Sequence, residues 1–333
     1  MNTLVDNFNR AHDYLRISLT DKCNLNCLYC NPDNTAYVKL LKQNILTYDE
    51  LLRLIKIFGK AGIKKIRFTG GEPLARKGVL DFFDKLKQLQ NEFKFEIGVT
   101  TNATLLNGNL HRLKEAGIAR LNISLDSLQK EKFFKITKQD KLHSVLNAIS
   151  EAKQLDFNPI KINSVVMRSI NEDELIDFVE FAITNNLNIR FIEFMPFGNN
   201  EWSSNTFIGW QDMKAAIEEK FELLPVNTNS NSVAKDFSIK DYLGEVSFIS
   251  SISDHFCCKC NRLRITASGK LKLCLFTNGI DELNFKELLN NMSLNDEDII
   301  LLISETLQFK KENHPPVEEL LTYEKNQMLC IGG

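Results

Sequence analysis

A repeated junction, in which a helix ends at a glycine and a strand follows at once, most constrains the fold of this chain. The segments KAGIKKIRF at residues 60–68 and EAGIARLNI at residues 115–123 are two copies of it. Glycine suits the helix end because it adopts the left-handed conformation without strain. The pattern predicts strands at residues 16–20, 64–71, 95–102, 120–126, 161–167 and 189–195. Because helices and not tight turns separate these strands, they should pair in parallel through right-handed crossovers.

Six strand–helix units are too few for a filled eight-stranded barrel. The sequence therefore predicts an α/β fold in which residues 1–225 form a partial (β/α)6 TIM-like barrel. Residues 226–333 should form a smaller C-terminal domain. The boundary is set by an Asn- and Ser-rich stretch, residues 227–232, that follows a helix predicted near residues 210–221. Two helix starts are also predicted, from Thr47 with Glu50 and from Asn171 with Glu174.

The predicted strands alternate between polar and apolar residues, which is unusual for parallel strands covered on both faces. On one face lie Arg16, Ser18, Thr20, Lys65, Arg67, Thr69, Glu96, Gly98, Thr100, Asn122, Ser124, Asp126, Lys161 and Asn163. A half-exposed antiparallel sheet is one explanation. The other is a barrel lumen lined by polar and cationic groups. Such a lumen calls for an anionic ligand, and a polyphosphate is the natural candidate.

Three cysteines, Cys23, Cys27 and Cys30, occupy the loop RISLTDKCNLNCLYCNP at residues 16–32. Thiolates at this spacing can converge on one inorganic centre. Zinc would require a fourth ligand, and the next histidine, His111, lies far along the chain. A disulfide would leave one of the three thiols unpaired. The residues alone leave these alternatives open.

A second group consists of the pair Cys257 and Cys260 and the later Cys274. Ala267, Ser268 and Gly269 predict a hairpin turn between them, which would return the third sulfur to the first two. The adjacent Cys258 should point the other way, because neighbouring residues of an extended chain alternate. A structural zinc completed by His255 remains the alternative.

Composition limits the kinds of partner. The 333 residues carry a net charge of −2, with 43% hydrophobic and 25% charged residues. Diffuse attraction to nucleic acid or to a membrane surface is therefore not expected. The first residues lack a basic segment followed by an apolar run, and no apolar stretch approaches the roughly 20 residues that span a bilayer. We expect a cytoplasmic protein.

The spacing Cx3Cx2C, with Tyr29 before the last cysteine, resembles the signature of the radical S-adenosylmethionine (SAM) superfamily. The segment GGEP at residues 70–73, after the second strand, resembles that family's SAM-binding loop. Together with the second cysteine group, the segment NRLR at residues 261–264 and the terminal double glycine, the chain resembles the GTP 3′,8-cyclases of molybdenum cofactor biosynthesis, the protein A family. The resemblance implies two [4Fe-4S] clusters and SAM as cofactors.

The resemblance also implies the site residues. The first cluster would be held by Cys23, Cys27 and Cys30, and the second, in the C-terminal domain, by Cys257, Cys260 and Cys274. SAM would contact Tyr29, Gly71, Ser124 and Met195. GTP would contact Arg16, Arg67, Thr100, Lys161, Arg262, Leu263 and Arg264, with Lys65 and Arg190 as further cations. Arg262, Arg264, Gly332 and Gly333 would serve turnover, and Cys330 would be an incidental thiol. Ala103 departs from the usual TTNG, so the backbone angle there is in question.

The implied reaction is the conversion of GTP to 3′,8-cyclo-GTP, begun by a 5′-deoxyadenosyl radical that removes the 3′ hydrogen of GTP. The product would pass to cyclic pyranopterin monophosphate synthase, and the enzyme would be a homodimer. The electron donor is not identified by the sequence. Two other functions remain as alternatives, a peptide-modifying radical enzyme with an auxiliary cluster and a zinc-stabilised nucleotide-binding or interaction module without catalysis.

Overall fold

The computed structural model describes residues 4–31, 40–197, 200–226, 233–276, 283–322 and 328–331. The six predicted strands are present within one or two residues of their expected bounds. They are β1 (Tyr14–Ser18), β2 (Lys65–Thr69), β3 (Glu96–Thr101), β4 (Arg120–Ser124), β5 (Ile160–Val166) and β6 (Asn188–Glu193). Later strands are β7 (Leu223–Pro225), β8 (Lys235–Ile239), β9 (Glu245–Ile249), β10 (Arg262–Ile265) and β11 (Leu271–Lys272).

Helices separate the first six strands. They are α1 (Tyr48–Lys60), α2 (Val79–Phe93), α3 (Leu110–Glu115), α4 (Lys130–Thr137), α5 (Leu142–Gln154) and α6 (Leu175–Asn185). The later helices are α7 (Trp210–Glu218), α8 (Phe285–Asn290), α9 (Asp296–Leu307), α10 (Val317–Leu320) and α11 (Met328–Ile331). The glycine stops are confirmed after α1 and α3, where Gly62 and Gly117 have φ of 100° and 87°.

Helical turns begin directly after Thr47 and after Asn171, as predicted, but only one of the two predicted side-chain caps is present. Thr47 and Glu50 form a capping box at the start of α1. Asn171 makes no side-chain cap, and its amide instead accepts from the Met167 N–H and donates to the carbonyls of Asp126 and Val165. Glu174 accepts from the loop after β4. These side chains tie loops together, and tertiary contacts therefore override the local capping signal.

The strands form a single sheet in the order β11-β10-β1-β2-β3-β4-β5-β6-β9-β8-β7. Neighbours from β1 to β6 are parallel, so the antiparallel alternative is wrong and the partial barrel is confirmed. β10 pairs in parallel with β1, and β9 pairs in parallel with β6. The segment after residue 225 thus extends both edges of the barrel sheet, and the boundary at 225/226 stays a prediction.

The apolar face of each strand packs against the helices. Leu15, Ile17, Ile66 and Phe68 are buried in the main hydrophobic core, together with Leu54 and Phe58 of α1. The polar residues between them face the other side of the sheet. Within the described residues, we find no helix that is both long and apolar enough to traverse a bilayer.

Candidate active site

A cavity of about 790 Å³ lies against the polar face of the sheet. Its lining includes the six cysteines predicted as ligands. It also includes Tyr29, Gly71, Ser124 and Met195, the predicted SAM contacts. Of the predicted GTP contacts and further cations, it includes Arg16, Lys65, Arg67, Thr100, Lys161, Arg190, Arg262 and Arg264. One concavity therefore brings together most of the residues selected from the sequence.

The first cysteine loop follows the carboxyl end of β1. Cys23, Cys27 and Cys30 are half-buried and form no disulfide. The Leu25 N–H and the Asn102 side-chain amide both approach the Cys23 sulfur, at 3.4 and 3.7 Å. Burial raises the pKa of the Cys23 thiol to about 11 and that of Cys27 well above its usual range. Three thiols held in a dry loop suit a multiply charged positive centre, which binds them as thiolates.

The GGEP turn packs directly on this loop. The Gly71 N–H donates to the Thr20 carbonyl at 2.7 Å, and the Glu72 N–H donates to the Lys22 carbonyl at 2.8 Å. A Cβ on Gly71 would lie 2.4 Å from the Lys22 carbonyl oxygen and 2.9 Å from the Cys23 nitrogen. Glycine is required because two backbone segments meet here.

Glu72 connects the turn to the next strand. Its buried carboxylate accepts from the Thr101 hydroxyl at 2.9 Å and the Asn102 N–H at 2.8 Å. Burial raises the pKa of Glu72 to about 7. Ala103, which follows Asn102, has φ of 61°, so alanine occupies the left-handed angle for which glycine is better suited. The departure from TTNG therefore leaves the turn in place.

Tyr29 is fixed from two sides. Its hydroxyl donates to Asp126 Oδ2 at 2.8 Å, and Asp126 Oδ1 accepts from the Val165 N–H at 2.9 Å. Burial raises the pKa of Asp126 to about 6. The Asn200 amide donates to the carbonyls of Tyr29 and Met195, at 3.1 and 2.9 Å. Asn200 thus joins two predicted SAM contacts that lie far apart in sequence.

The second cysteine group is assembled by strand directions. Cys257 and Cys260 precede β10, which runs parallel to β1 with Arg262 beside Tyr14 and Arg264 beside Arg16. β11 then returns antiparallel to β10, which confirms the predicted hairpin and brings Cys274 back to the start of β10. All three cysteines are half-buried and form no disulfide, whereas Cys258 is exposed.

The two cysteine groups lie at opposite ends of the cavity. Since β1 and β10 are parallel neighbours, a loop that follows β1 and a loop that precedes β10 must lie at opposite ends of the strands. Cys23, Cys27 and Cys30 follow β1, and Cys257 and Cys260 precede β10. Between them extends the strand surface that carries Arg16 and Arg264.

Cations dominate this surface. Arg264 is 4% exposed, and its Nη1 is buried without a hydrogen-bond partner. Burial and the neighbouring Arg262 charge lower the pKa of Arg264 to about 10, and burial and the Arg67 charge do the same for Arg190. Burial lowers the pKa of Lys161 as well. Like charges held this close favour an anionic ligand between them.

Charge also acts on the second cysteine group. Burial alone would raise the pKa of the Cys260 thiol, but the charges of Arg262 and Lys310 and hydrogen bonds from Arg262 outweigh it and lower the pKa to about 6. Burial lowers the pKa of Lys310, and the negative charges that oppose this most are those of Cys260 and Cys274.

Leu263 differs from the other predicted contacts. Its side chain lies in the hydrophobic core and does not line the cavity, because it alternates with Arg262 and Arg264 on the strand. Any contact of Leu263 with a ligand in the cavity would therefore be made by its backbone. Gly332 and Gly333 lie outside the described residues.

Sequence reasoning missed several residues of the site, among them Tyr14, Arg120, Asn200 and Glu193. Tyr14 lines the cavity and its hydroxyl accepts from Arg67 Nε at 2.7 Å, while Arg120 lines it beside Gly98. Extending the alternation to the first residue of each strand would have found both. Asn200 and Glu193 gave no local signal. The buried Glu193 carboxylate accepts from the N–H groups of Trp210, Ile252 and Ser253, and so fixes the segment before Cys257.

Each triad offers three thiols, which is the donor set that an iron–sulfur cluster needs. The described cysteines form no disulfide, so neither group is cross-linked. In the part of the chain that the structure describes, no three His, Cys, Asp or Glu side chains have the geometry to hold a single metal ion. A four-iron cluster bonds each thiolate to a different iron atom, so the three sulfurs need not meet at one point.

Comparison with known proteins agrees with this arrangement. A family model described as the Radical SAM superfamily matches residues 17–182, and one described as Molybdenum Cofactor Synthesis C matches residues 187–316. The chain is similar to molybdenum cofactor biosynthesis protein 1 of Dictyostelium discoideum, with 42% identity over 99% of this chain and 52% of that protein. The chain spans about half the length of the first such relatives.

A relative of similar length is the GTP 3′,8-cyclase of Thermodesulfovibrio yellowstonii, with 42% identity over 92% of this chain and 94% of that protein. Among solved structures, Streptococcus suis SuiB bound to S-adenosylmethionine matches with a TM-score of 0.60 and 14% identity, over 90% of this chain and 68% of that one. This last likeness concerns the fold alone.

Proposed function

Because the chain belongs to the radical SAM superfamily and, within it, to the molybdenum cofactor biosynthesis family that includes the GTP 3′,8-cyclases, we propose that it converts GTP to 3′,8-cyclo-GTP. The observation that carries the proposal is one cavity with, at each end, a cysteine triad that is not cross-linked, and with cations between them. A nucleoside triphosphate has the charge and the length for such a cavity.

Each triad would hold one [4Fe-4S] cluster, the first through Cys23, Cys27 and Cys30 and the second through Cys257, Cys260 and Cys274. SAM would lie at the first triad, against Tyr29, Gly71, Ser124 and Met195. In support, the Asn200 amide fixes the backbone of Tyr29 and Met195, and Gly71 lets the turn pack directly against the cysteine loop. The clusters and SAM, when bound, supply the electron and the carbon radical that the reaction needs.

The side chains of this chain would bind and orient GTP. Arg16, Lys65, Arg67, Lys161 and Arg190 form a cationic surface for the triphosphate. The hydrogen bond from Arg67 to Tyr14 and that from Arg190 to Asn163 fix the directions of two guanidinium groups. Arg262 and Arg264 would hold the base end, beside the second triad. Thr100 offers a buried hydroxyl without a hydrogen-bond partner to the same cavity.

The fold also excludes water and fixes geometry. A reaction between two carbons of one nucleotide depends on holding the ribose and the base in a single orientation, and such positioning is worth several kcal/mol. Here the protein would hold GTP at both ends, by the triphosphate and by the base, and so fix the ribose between them in one orientation. The double glycine Gly332–Gly333 and the backbone of Leu263 are further proposed contacts.

The test is anaerobic incubation of the reconstituted protein with GTP, SAM and a reductant, followed by identification of the products. We expect a cyclised GTP isomer together with 5′-deoxyadenosine. Cleavage of SAM without a change in GTP would contradict the proposed substrate. Absence of iron and sulfide from both triads would contradict the chemistry itself.

Replacing Arg264 with alanine makes this test specific. Arg264→Ala should lower cyclisation by about 10- to 100-fold, because a charge-assisted contact to GTP is worth roughly 1.5–3 kcal/mol. Cleavage of SAM should stay detectable, since the first triad is at the other end of the cavity. The matched control is Arg168→Ala, an exposed arginine whose described partners, Asp212 and the Phe207 carbonyl, lie outside the cavity. Cyclisation at the unmodified rate by Arg264→Ala would contradict the assignment.

Within the pathway, we propose that the product passes to cyclic pyranopterin monophosphate synthase and that the protein acts as a cytoplasmic homodimer. The first relatives are about twice as long as this chain, so a partner function can be joined to the same kind of module in one polypeptide. Size-exclusion chromatography with light scattering tests the dimer, and a coupled assay with the synthase tests the transfer.

A further inference from the structure

Two buried cations lie behind the second cysteine triad and outside the cavity. Arg10, in the N-terminal segment, is 8% exposed, and Lys310, after α9, is 4% exposed. Neither residue lines the cavity, so neither is placed to contact a nucleotide there. Burying a charge is costly unless polar or charged groups compensate it, so the burial of these two cations needs a physical explanation.

Lys310 binds the chain on both sides of the triad. Its ammonium donates to the carbonyl of Arg262 at 3.2 Å and to the carbonyl of Leu273. Arg262 comes two residues after Cys260, and Leu273 directly precedes Cys274. One amine therefore joins the β10 start to the end of the returning hairpin, the two segments that carry these cysteines.

Arg10 binds the third segment. Its Nη1 donates to the Cys257 carbonyl at 2.8 Å and to the Glu312 carbonyl at 2.8 Å, and its Nη2 donates to the Lys311 carbonyl at 2.8 Å. Its Nε pairs with Asp6 at 2.6 Å. The guanidinium thus holds Cys257 and the stretch next to Lys310 together.

The two residues together contact all three cysteine-bearing segments through backbone carbonyls. Arg10 has the carboxylate of Asp6 as a counter-charge, whereas the described hydrogen bonds of the Lys310 ammonium go to neutral carbonyls. Thiolates at Cys260 and Cys274 would provide the missing negative charge. A cluster bound by three thiolates is anionic, and it gains one more negative charge on reduction.

We propose that Lys310 and Arg10 are positioning residues of the second cluster, Lys310 also offsetting its negative charge. Arg10 and Lys310 hold the three ligand segments at the spacing that the cluster needs. The Lys310 charge favours the reduced state, and so raises the reduction potential, because net charge near a cluster sets that potential. This inference rests on the proposal that the second triad holds a cluster, and it does not depend on GTP as the substrate.

The test uses the 333-residue chain with Cys23, Cys27 and Cys30 replaced by serine, so that only the second triad can be loaded. In this background we compare Lys310→Met, Lys310→Arg and Arg10→Gln. Matched controls are Lys240→Met and Arg112→Gln, which remove exposed cations that form surface ion pairs. The readouts are iron and sulfide per chain after anaerobic reconstitution, the rate of cluster loss to a chelator, and the midpoint potential followed by electron paramagnetic resonance.

We expect Lys310→Met and Arg10→Gln to lose the cluster about 10- to 100-fold faster than the parent, as is typical when groups that orient metal ligands are removed. The midpoint potential should fall in Lys310→Met and be kept in Lys310→Arg, which retains the charge. A role in folding alone would lower the thermal unfolding temperature without moving the potential. The two controls should match the parent in every readout.

Cluster retention and potential equal to the parent in Lys310→Met would overturn the inference. Should Lys310→Met not fold, Arg10→Gln decides it: cluster loss faster than in the parent supports the inference, and loss at the parent's rate overturns it. If the parent itself binds no iron at the second triad, the proposed function fails along with the inference. If the parent is loaded and the variants behave like it, only the inference fails.

Discussion

Replacing Gly71 with alanine should disturb the first cysteine loop through a steric clash alone. Gly71 is not among the residues with positive φ, so alanine is not strained there by its own backbone angles. The added carbon, however, would lie 2.4 Å from the Lys22 carbonyl oxygen and 2.9 Å from the Cys23 nitrogen. The first distance is roughly 1 Å shorter than an ordinary non-bonded contact. Both neighbours are backbone atoms, so no side-chain rotation relieves the clash.

The loop must therefore move by a large part of 1 Å. Overpacking of this kind costs about 1 to 3 kcal/mol. At roughly 2 cal/mol/K of unfolding entropy per residue, that cost lowers Tm of the chain by about 1 to 4 °C. Activity should suffer more, because a displacement of about 1 Å at a reacting site can cost about 100-fold in rate. We expect Gly71→Ala to stay folded but to cleave SAM about 100-fold more slowly.

The assay compares Tm, iron content and the rate of 5′-deoxyadenosine formation in Gly71→Ala and Gly209→Ala. Gly209 is the matched control, because its φ is −75° and the atoms nearest to an added Cβ are 3.8 Å away. The control should retain iron content and SAM cleavage. If Gly71→Ala cleaves SAM as fast as Gly209→Ala, the close approach at Gly71 does not position the loop and the reasoning is wrong.

Two further predictions concern buried groups. Glu193→Gln should lower the free energy of unfolding in urea by about 1 to 3 kcal/mol relative to the exposed control Glu201→Gln, because an amide cannot accept from all the donors around Glu193. Burial lowers the pKa of His12 from 6.5 to about 4, so the unfolded state takes up this proton at a higher pH than the folded state does. The stability that depends on neutral His12 should therefore be fully present above pH 6.5 and fall by up to about 1.4 kcal/mol per pH unit towards pH 4. His12→Gln should flatten that slope in pH-dependent urea unfolding, whereas the exposed His111→Gln should leave it unchanged.

The strands and the sheet were predictable because their signals are local and repeated. Alternation over four to six residues fixes which side chains share a face, and a glycine stop fixes where the next strand starts. The same alternation correctly selected Arg16, Arg67 and Lys161 for the cavity. It missed Tyr14, which precedes the predicted start of the first strand, and Arg120, the first residue of β4, and it also selected Ser18, Thr20, Glu96 and Gly98, which do not line the cavity.

The hydrogen bonds that hold the site together were not predictable, because they join residues that are far apart in sequence. Asn200 joins the carbonyls of Tyr29 and Met195, and Arg10 reaches the Cys257 carbonyl from the opposite end of the chain. Backbone carbonyls carry no sequence signature, so nothing in the residue pattern marks them as partners. The wrong cap at Asn171 has the same cause, since a residue suited to capping was recruited by loops.

The alternation that revealed the cavity also carries an energetic argument about its ligand. Polar and cationic side chains on the inner face of a parallel sheet are removed from water, and here the cations also repel one another. Lowering the pKa of Arg264 from 12.5 to about 10 corresponds to about 3 kcal/mol spent on keeping that one guanidinium charged, most of it through burial and part of it through Arg262. A fold stabilised mainly by its apolar core tolerates such a cost at several positions only if binding recovers it. A nucleoside triphosphate would do so at both of its ends, with its phosphates against Arg16 and Arg190 and its base against Arg264, which is why it suits this lumen better than a neutral or singly charged molecule.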